Sequence, residues 1–419
     1  MSGERNMDVW NVLRPSKWPG APPWMSFSTL SDLEVCPRRW ALSLAEYPHV
    51  WNESGYPRPL RPAAIEGTVV HLSLQRVMAA LVDRGCPSLS HESASGALRE
   101  LGGYTAIVMS SLKRALQPYE GNPRAAAVLE GIRHRFAARV PELRSRVQRF
   151  LVRIDPECGT GKSAKTMSHP ESESRRRLLH GSYGEVELRA GYMGWHGIVD
   201  LLTIASTRCE IRDFKTGEAK EEHEYQLQVY ALLWARDRDL NPDGRLADRL
   251  VLSYDEGDVS VRAPSEKELR QLEHALATRT AQALADLQVD PPEARPTREN
   301  CAYCAVRHLC EDYWPWHARE GPSNESARTG FGDVQIRLSG QHGPTSWDGM
   351  VELGPGLRKG RPILLRTGNH VFDHQPGQRV RLLNVYMNIP GEEPDDDDRP
   401  DPTVVATMGA SSEAFFLTT

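Results

Sequence analysis

Cysteine is scarce in this chain: seven in 419 residues, too few for a scaffold built on disulfides. Long apolar runs are missing as well, and none approaches the ~18 residues that cross a bilayer. The opening stretch MSGERNMDVWNVLRPSKWPG lacks the apolar centre of a secretory leader. We therefore expect a cytoplasmic chain with no membrane partner, in which clustered cysteines bind metal. An excess of positive charge is also absent. The formal net charge is −5, so composition alone announces no nucleic-acid partner. No internal repeat is present, and neither is a phosphate-binding loop. CGTGKSAKT contains Gly161-Lys162-Ser163, but Pro156 stands where the first glycine is required and no apolar helix follows. The chain encodes no nucleotide-driven motor.

Its length suits two or three domains. MSFSTLSDLEVCPRRWALSL reads as one helix from Met25 to about Leu44, capped near Ser28. A second helix carries His71, and further helical segments run to about Leu151. Residues 155–180 are polar and read as a loop. Strand-like runs YGEVELRA, HGIVDLLTI and RCEIRDFKTG follow, then the helix EYQLQVYALLWARD. Beyond Phe331 the pattern changes to five short strands between glycine and proline turns, which suits a small barrel or sandwich. EGPSNESARTG marks the boundary and predicts few contacts across it. The acidic tract Asp395–Asp398 reads as a solvated loop. Arg133, Arg135, Arg139, Arg144, Arg146, Arg149 and Arg153, with Arg175–Arg177, read most simply as a solvated basic face that permits a polyanion partner.

The chemistry centres on GIVDLLTIASTRCEIRDFKTG. Residues two apart in a strand share a face, so Asp213 and Lys215 project together, with Asp200 one strand earlier. Asp200, Asp213 and the carbonyl of Phe214 are the oxygen ligands a magnesium or manganese ion accepts. A lysine beside them can orient an attacking water and offset charge on a phosphorane. Gln226 and Tyr230 lie one helical turn apart, on a common face. Asp-x-Lys alone reads equally well as a surface ion pair.

The ordered set narrows that choice. His71 in GTVVH, Gly197 to Asp200 as GxxD, Asp213-x-Lys215 and Gln226-x-x-x-Tyr230 resemble the RecB-like branch of the PD-(D/E)XK nucleases, of AddB and CRISPR-adaptation type. The resemblance covers roughly residues 25–316. It implies an α/β restriction-endonuclease-like core with a helical insertion, His71 in the metal shell, and Asp200, Asp213, Lys215, Gln226 and Tyr230 as site residues. It also implies a glutamate near the GxxD strand, and of Glu185 and Glu187 we expect Glu187. In this branch an N-terminal cysteine joins a C-x2-C-x5-C group around a 4Fe-4S cluster, and Cys36 with Cys301, Cys304 and Cys310 fits that pattern. Four thiolates suit zinc equally on ligand type; the resemblance favours iron-sulfur. Cys86, Cys158 and Cys209 read as ordinary thiols.

The expected organisation is an extension over 1–24, the nuclease domain over 25–320 and an OB-like β-barrel over 330–419. The barrel offers Arg366, Phe372, Arg379, Arg381 and Tyr386 to single-stranded nucleic acid, or else docks a protein. The expected activity is metal-dependent hydrolysis of phosphodiester bonds in DNA, single-stranded or at ends, in repair or antiphage defence. A helicase or another repair or defence protein is the expected partner. The rival is a catalytically silent DNA-binding or scaffold subunit, against which the complete Asp-Asp-Lys set argues.

Overall fold

The computed structural model describes residues 10–47, 50, 55–86, 91–155, 157, 175–321, 329–368, 375–390 and 402–417. Cys158, the Gly161–Ser163 stretch, Phe372, Asp395–Asp398 and most of the glycine- and serine-rich boundary lie outside them.

A two-residue strand β1 (Asn11–Val12) precedes helices α1 (Phe27–Val35) and α2 (Pro37–Leu44). The sequence reads here as one helix, but the chain forms two, because Pro37 forces Cys36 out of the helical region. Cys36 is extended, at φ −166 and ψ 104. Ser26 caps α1 rather than Ser28, its hydroxyl accepting from the Thr29 amide at 3.1 Å.

Five helices then build the insertion: α3 (Pro62–Asp83), α4 (Glu92–Glu100), α5 (Gly103–Leu116), α6 (Ala126–Ala138) and α7 (Val140–Leu151). They enclose their own core, in which Val70, Leu74 and Val77 of α3 are buried with Ile107, Leu143 and Phe150. At 22 residues α3 is long and apolar enough to cross a membrane, which the run-length reading does not anticipate. Eight of its residues are buried in the protein. Much of the arginine row is engaged. Arg139 and Arg146 both bond Glu66, at 2.9 and 2.7 Å. Arg146 and Arg149 pair with Asp255, and Arg153 donates to the Tyr254 carbonyl. These ties hold α7 to α3 and to the end of the sheet, so several of these arginines are structural ion-pair partners and not a free solvated face.

The central sheet comprises β2 (Gly181–Ala190), β3 (Trp195–Ile204), β4 (Cys209–Phe214), β5 (Arg249–Ser253) and β6 (Asp258–Val261), in that spatial order. Only β4 and β5 run parallel. Their crossover is α8 (Glu221–Arg236), because a parallel pair cannot be closed by a tight turn. Val199 and Leu202 meet Leu227, Leu233 and Trp234 of α8 in one core, whereas Leu201 and Phe214 join the helical insertion in the other. The sheet thus lies between two helical layers. α9 (Glu266–Leu287), α10 (Arg298–Ala302) and α11 (Tyr313–Glu320) complete this part.

The C-terminal sheet contains β7 (Thr329–Gly343), β8 (Ser346–Leu353), β9 (Pro362–Arg366), β10 (Arg379–Asn388), β11 (Val404–Thr407) and β12 (Glu413–Leu417). Five were expected; β12 is the sixth. β7 pairs with both β8 and β10, and β1 joins β12 in parallel. The expectation of few contacts across the boundary is overturned. Arg307 bonds Asp333 at 2.5 Å, Tyr313 donates to the same carboxylate at 2.8 Å, and Arg124 forks onto Glu413 with both bonds at 2.7 Å. Leu383 and Phe415 are buried with Cys304, Cys310 and Trp314 in one cluster.

Candidate metal centre and cysteine site

Two glycines set how closely the helices approach the acidic strands. A Cβ on Gly67 of α3 would stand 2.9 Å from Thr216 Oγ1, and one on Gly197 of β3 would stand 2.8 Å from Tyr230 Cε1. Because neither side chain exists, α3 brings His71 onto one face of β3 while α8 lies against the other. His71 Nδ1 is 3.2 Å from Asp200 Oδ1, and the second oxygen of Asp200 accepts from the Phe214 amide at 2.6 Å. Lys215 Nζ lies 2.6 Å from Asp213 Oδ2 and donates to Gln226 Oε1 at 2.7 Å. Gln226 Nε2 in turn donates to the Tyr230 hydroxyl at 2.9 Å. His71, Asp200, Asp213, Lys215, Gln226 and Tyr230 therefore converge from α3, β3, β4 and α8. Phe214 contributes its backbone here, with its ring buried against the insertion.

One acid was misassigned. Glu185 brings a carboxylate oxygen within 4.8 Å of the His71 and Asp200 donor atoms. Glu187 instead bonds Arg189 at 2.7 Å and His196 at 3.1 Å. Hairpin register explains the difference. Gly184 pairs with Leu201 and Val186 with Val199, which leaves Glu185 beside Asp200, while Glu187 pairs with Ile198 farther along. Glu185 also has φ 53, a left-handed twist uncommon for a residue with a side chain. Counting back from the turn at 191–194 would have found it.

The electrostatics are those of too many acids in too little water. Burial and the neighbouring Asp200 push the Asp213 carboxyl up to about 6. The same two causes lift Glu185 to about 7. At His71 burial opposes the imidazolium, but the charge and hydrogen bond of Asp200 outweigh it and raise the group to about 9. Asp213 is buried and its Oδ2 meets the Lys215 ammonium. Carboxylates crowded together in burial fit a hard divalent cation, which relieves their repulsion.

The second constellation is sulfur. Cys36, Cys301, Cys304 and Cys310 line one cavity, together with Arg39 and Arg307. All four are free thiols. Cys36 caps α2, its sulfur accepting from the Arg39 amide at 3.4 Å and lying 3.5 Å from the Arg295 amide. Burial, with Cys304 and Cys36 nearby, pushes Cys301 up to about 11, and burial pushes Cys310 up to about 12. Cys86 is buried in the insertion core and Cys209 in the sheet core, neither lining the cavity.

The residues expected on the C-terminal sheet do not form one basic surface. Arg381 is buried and bonds the His308 carbonyl at 2.5 Å and Gln335 at 3.0 Å. Arg379 is held by Glu352 at 2.7 Å. Arg366 is exposed, and Tyr386 is exposed in an edge-to-face pair with Phe331.

A family model described as PD-(D/E)XK nuclease superfamily matches residues 24–311. No curated protein matches. Among solved structures, one titled "Crystal structure of SSO0001" is 19% identical, with a TM-score of 0.20. The match covers 32% of this chain and 61% of that one. A likeness of that size carries no argument.

Proposed function

Because the chain belongs to the PD-(D/E)XK nuclease superfamily, we propose that it is a magnesium- or manganese-dependent deoxyribonuclease that hydrolyses phosphodiester bonds of single-stranded DNA or DNA ends. The observation that carries this reading is the convergence of His71, Glu185 and Asp200 within 4.8 Å, beside the Asp213–Lys215–Gln226 chain of contacts. These three residues, with Asp213 and the carbonyl of Phe214, would hold the cation. When bound, a divalent ion polarises the phosphoryl oxygen and lowers the pKa of water at the site. Lys215 presents its ammonium where negative charge develops on the phosphoryl oxygens. Gln226 aims that ammonium and Tyr230 fixes Gln226, so both are positioning residues. A silent scaffold would have no use for carboxylates crowded in burial against their mutual repulsion.

The reading extends to the rest of the chain. The four cysteines would hold a 4Fe-4S cluster of the AddB type that staples α2 to the segment after α9. Residues 25–320 would be the nuclease domain and 330–419 an OB-like barrel. A helicase or another repair or antiphage protein would supply opened strands in the cytoplasm. Cleavage of labelled single- and double-stranded DNA in manganese tests the central claim. Wild-type protein should cut and Lys215→Ala should not; a Lys215→Ala protein cutting at the parental rate would overturn the assignment.

A further inference from the structure

Strand alternation puts Asp200, Ile198 and His196 on one face of β3, the face that α3 meets at His71. The opposite face belongs to α8, as the contacts of Gly197 and the burial of Val199 show. Ile198, a residue type that strands normally bury, is left 49% exposed two positions from the metal ligand. Beyond it stands an aromatic pair, His196 and Trp24, with ring centroids 6.2 Å apart. The Arg189 guanidinium lies 5.6 Å above the Trp24 ring. The segment carrying Trp24 is fastened to the strand end, since Met25 donates to the Gly194 carbonyl at 2.8 Å and accepts from the His196 amide at 2.9 Å.

We propose that this strip, from Ile198 through His196 to Trp24, binds the unpaired nucleic-acid strand on one side of the scissile phosphate by stacking its bases. The inference rests on the nuclease reading and adds to it the residues that hold the bases of the strand. Three features favour a strand of bases as occupant. The strip begins at the residues proposed to hold the reacting phosphate, so whatever is cut there must continue across a neighbouring surface. It offers Ile198 and an aromatic pair, with Arg189 above the Trp24 ring and the Glu187 carboxylate neutralised by Arg189 and His196, which suits flat unpaired bases of any sequence. Bases in a duplex are already stacked on one another and cannot use it.

The test uses full-length protein carrying its native cysteine-site metal. Binding of a fluorescent thymidine oligonucleotide in calcium is compared with binding of the same oligonucleotide bearing abasic positions beside the cut. Loss of bases should weaken wild-type binding about tenfold. Trp24→Ala should weaken binding of the intact strand about tenfold and Ile198→Ala about threefold. Abasic substitution should add little further in either, because the partners are already gone. Ile198→Trp should tighten binding, a gain that no folding defect produces, and Trp24→Phe should restore most of the loss. In manganese cleavage the variants should raise KM far more than they lower kcat. Val259→Ala, at an exposed apolar position on the far edge strand β6, should match wild type. If wild type cuts but Ile198→Ala and Trp24→Ala bind intact and abasic strands like the parent, this inference falls and the nuclease reading stands. If wild type cuts no DNA, both fall.

Discussion

At the residue scale, Lys215 is held by Asp213 and Gln226 within a few ångströms of the acids, and its removal separates charge stabilisation from metal binding. Lys215→Ala should lower kcat at least a hundredfold with manganese affinity retained, measured by single-turnover cleavage and calorimetry. Glu185→Gln should weaken manganese binding at least tenfold, whereas Glu187→Gln should leave it within twofold; equal losses would undo the reassignment. The acids also set a pH dependence. Glu185 is raised to about 7 and Asp213 to about 6, so each holds its proton more tightly folded than unfolded. That contribution is fully present below the ordinary carboxyl range and lost as pH climbs through 6 to 7. His71, raised to about 9, adds stability below its ordinary value that is lost as pH rises through 9. Manganese must displace those protons. Its affinity, and the rise in Tm it confers, should therefore be larger at pH 8 than at pH 6, with proton release visible as a buffer-dependent heat. Gly197→Ala places a methyl 2.8 Å from Tyr230. It should cost about 1–3 kcal/mol and lower activity by displacing the Gln226–Tyr230 pair.

At the scale of elements, the break between α1 and α2 gives Cys36 its role. Proline at position 37 ends one helix and begins the next, and the cysteine between them becomes a cap whose sulfur faces Cys301, Cys304 and Cys310 across one cavity. Anaerobically purified protein should contain about four irons per chain. Cys36→Ser should lose as much of that iron as Cys304→Ser, and Cys86→Ser should lose none. A colourless protein with one zinc would replace the iron assignment and keep the ligand set. Full iron in Cys36→Ser would refute that set. The loop from Cys304 to Cys310 has a second face. Arg307 neutralises buried Asp333, and the carbonyls of Ala305 and His308 accept from Arg124 and Arg381. Arg307→Met leaves Asp333 as an uncompensated buried charge. A loss of about 3–5 kcal/mol is expected in denaturant unfolding.

For the whole molecule, the consequence is that the C-terminal sheet is part of the folded unit. Deleting residues from 322 onward removes β12 from beside β1, strips Phe415 and Leu383 from the cluster holding Cys304 and Trp314, and strands Arg124 and Arg307. The truncated chain should express poorly or unfold many degrees below the full chain, as several kcal/mol lost from a marginal total requires. A soluble 1–321 fragment with parental Tm and manganese-dependent cleavage would show these contacts to be dispensable.

Much of the site was legible in one dimension because its signals are local. Alternation put Asp213 and Lys215 on one face, one helical turn joined Gln226 to Tyr230, and cysteine spacing marked 301, 304 and 310. The arginines of α7 read as a helix face in the same way, although nothing local shows that Glu66 and Asp255 engage several of them. What the tertiary structure decided depends on register and distance in space. Glu185 outranks Glu187 because hairpin pairing, counted from a turn, places only one of them beside Asp200. Cys36 reaches the other cysteines because α2 is packed onto the segment after α9, a closure no local pattern encodes. The boundary before β7 reads as a linker because its own residues are glycine and serine, yet what joins the two parts is Arg124, Arg307, Asp333 and Phe415. Those residues lie far apart along the chain, and only burial in a shared low-dielectric interior makes their pairing matter.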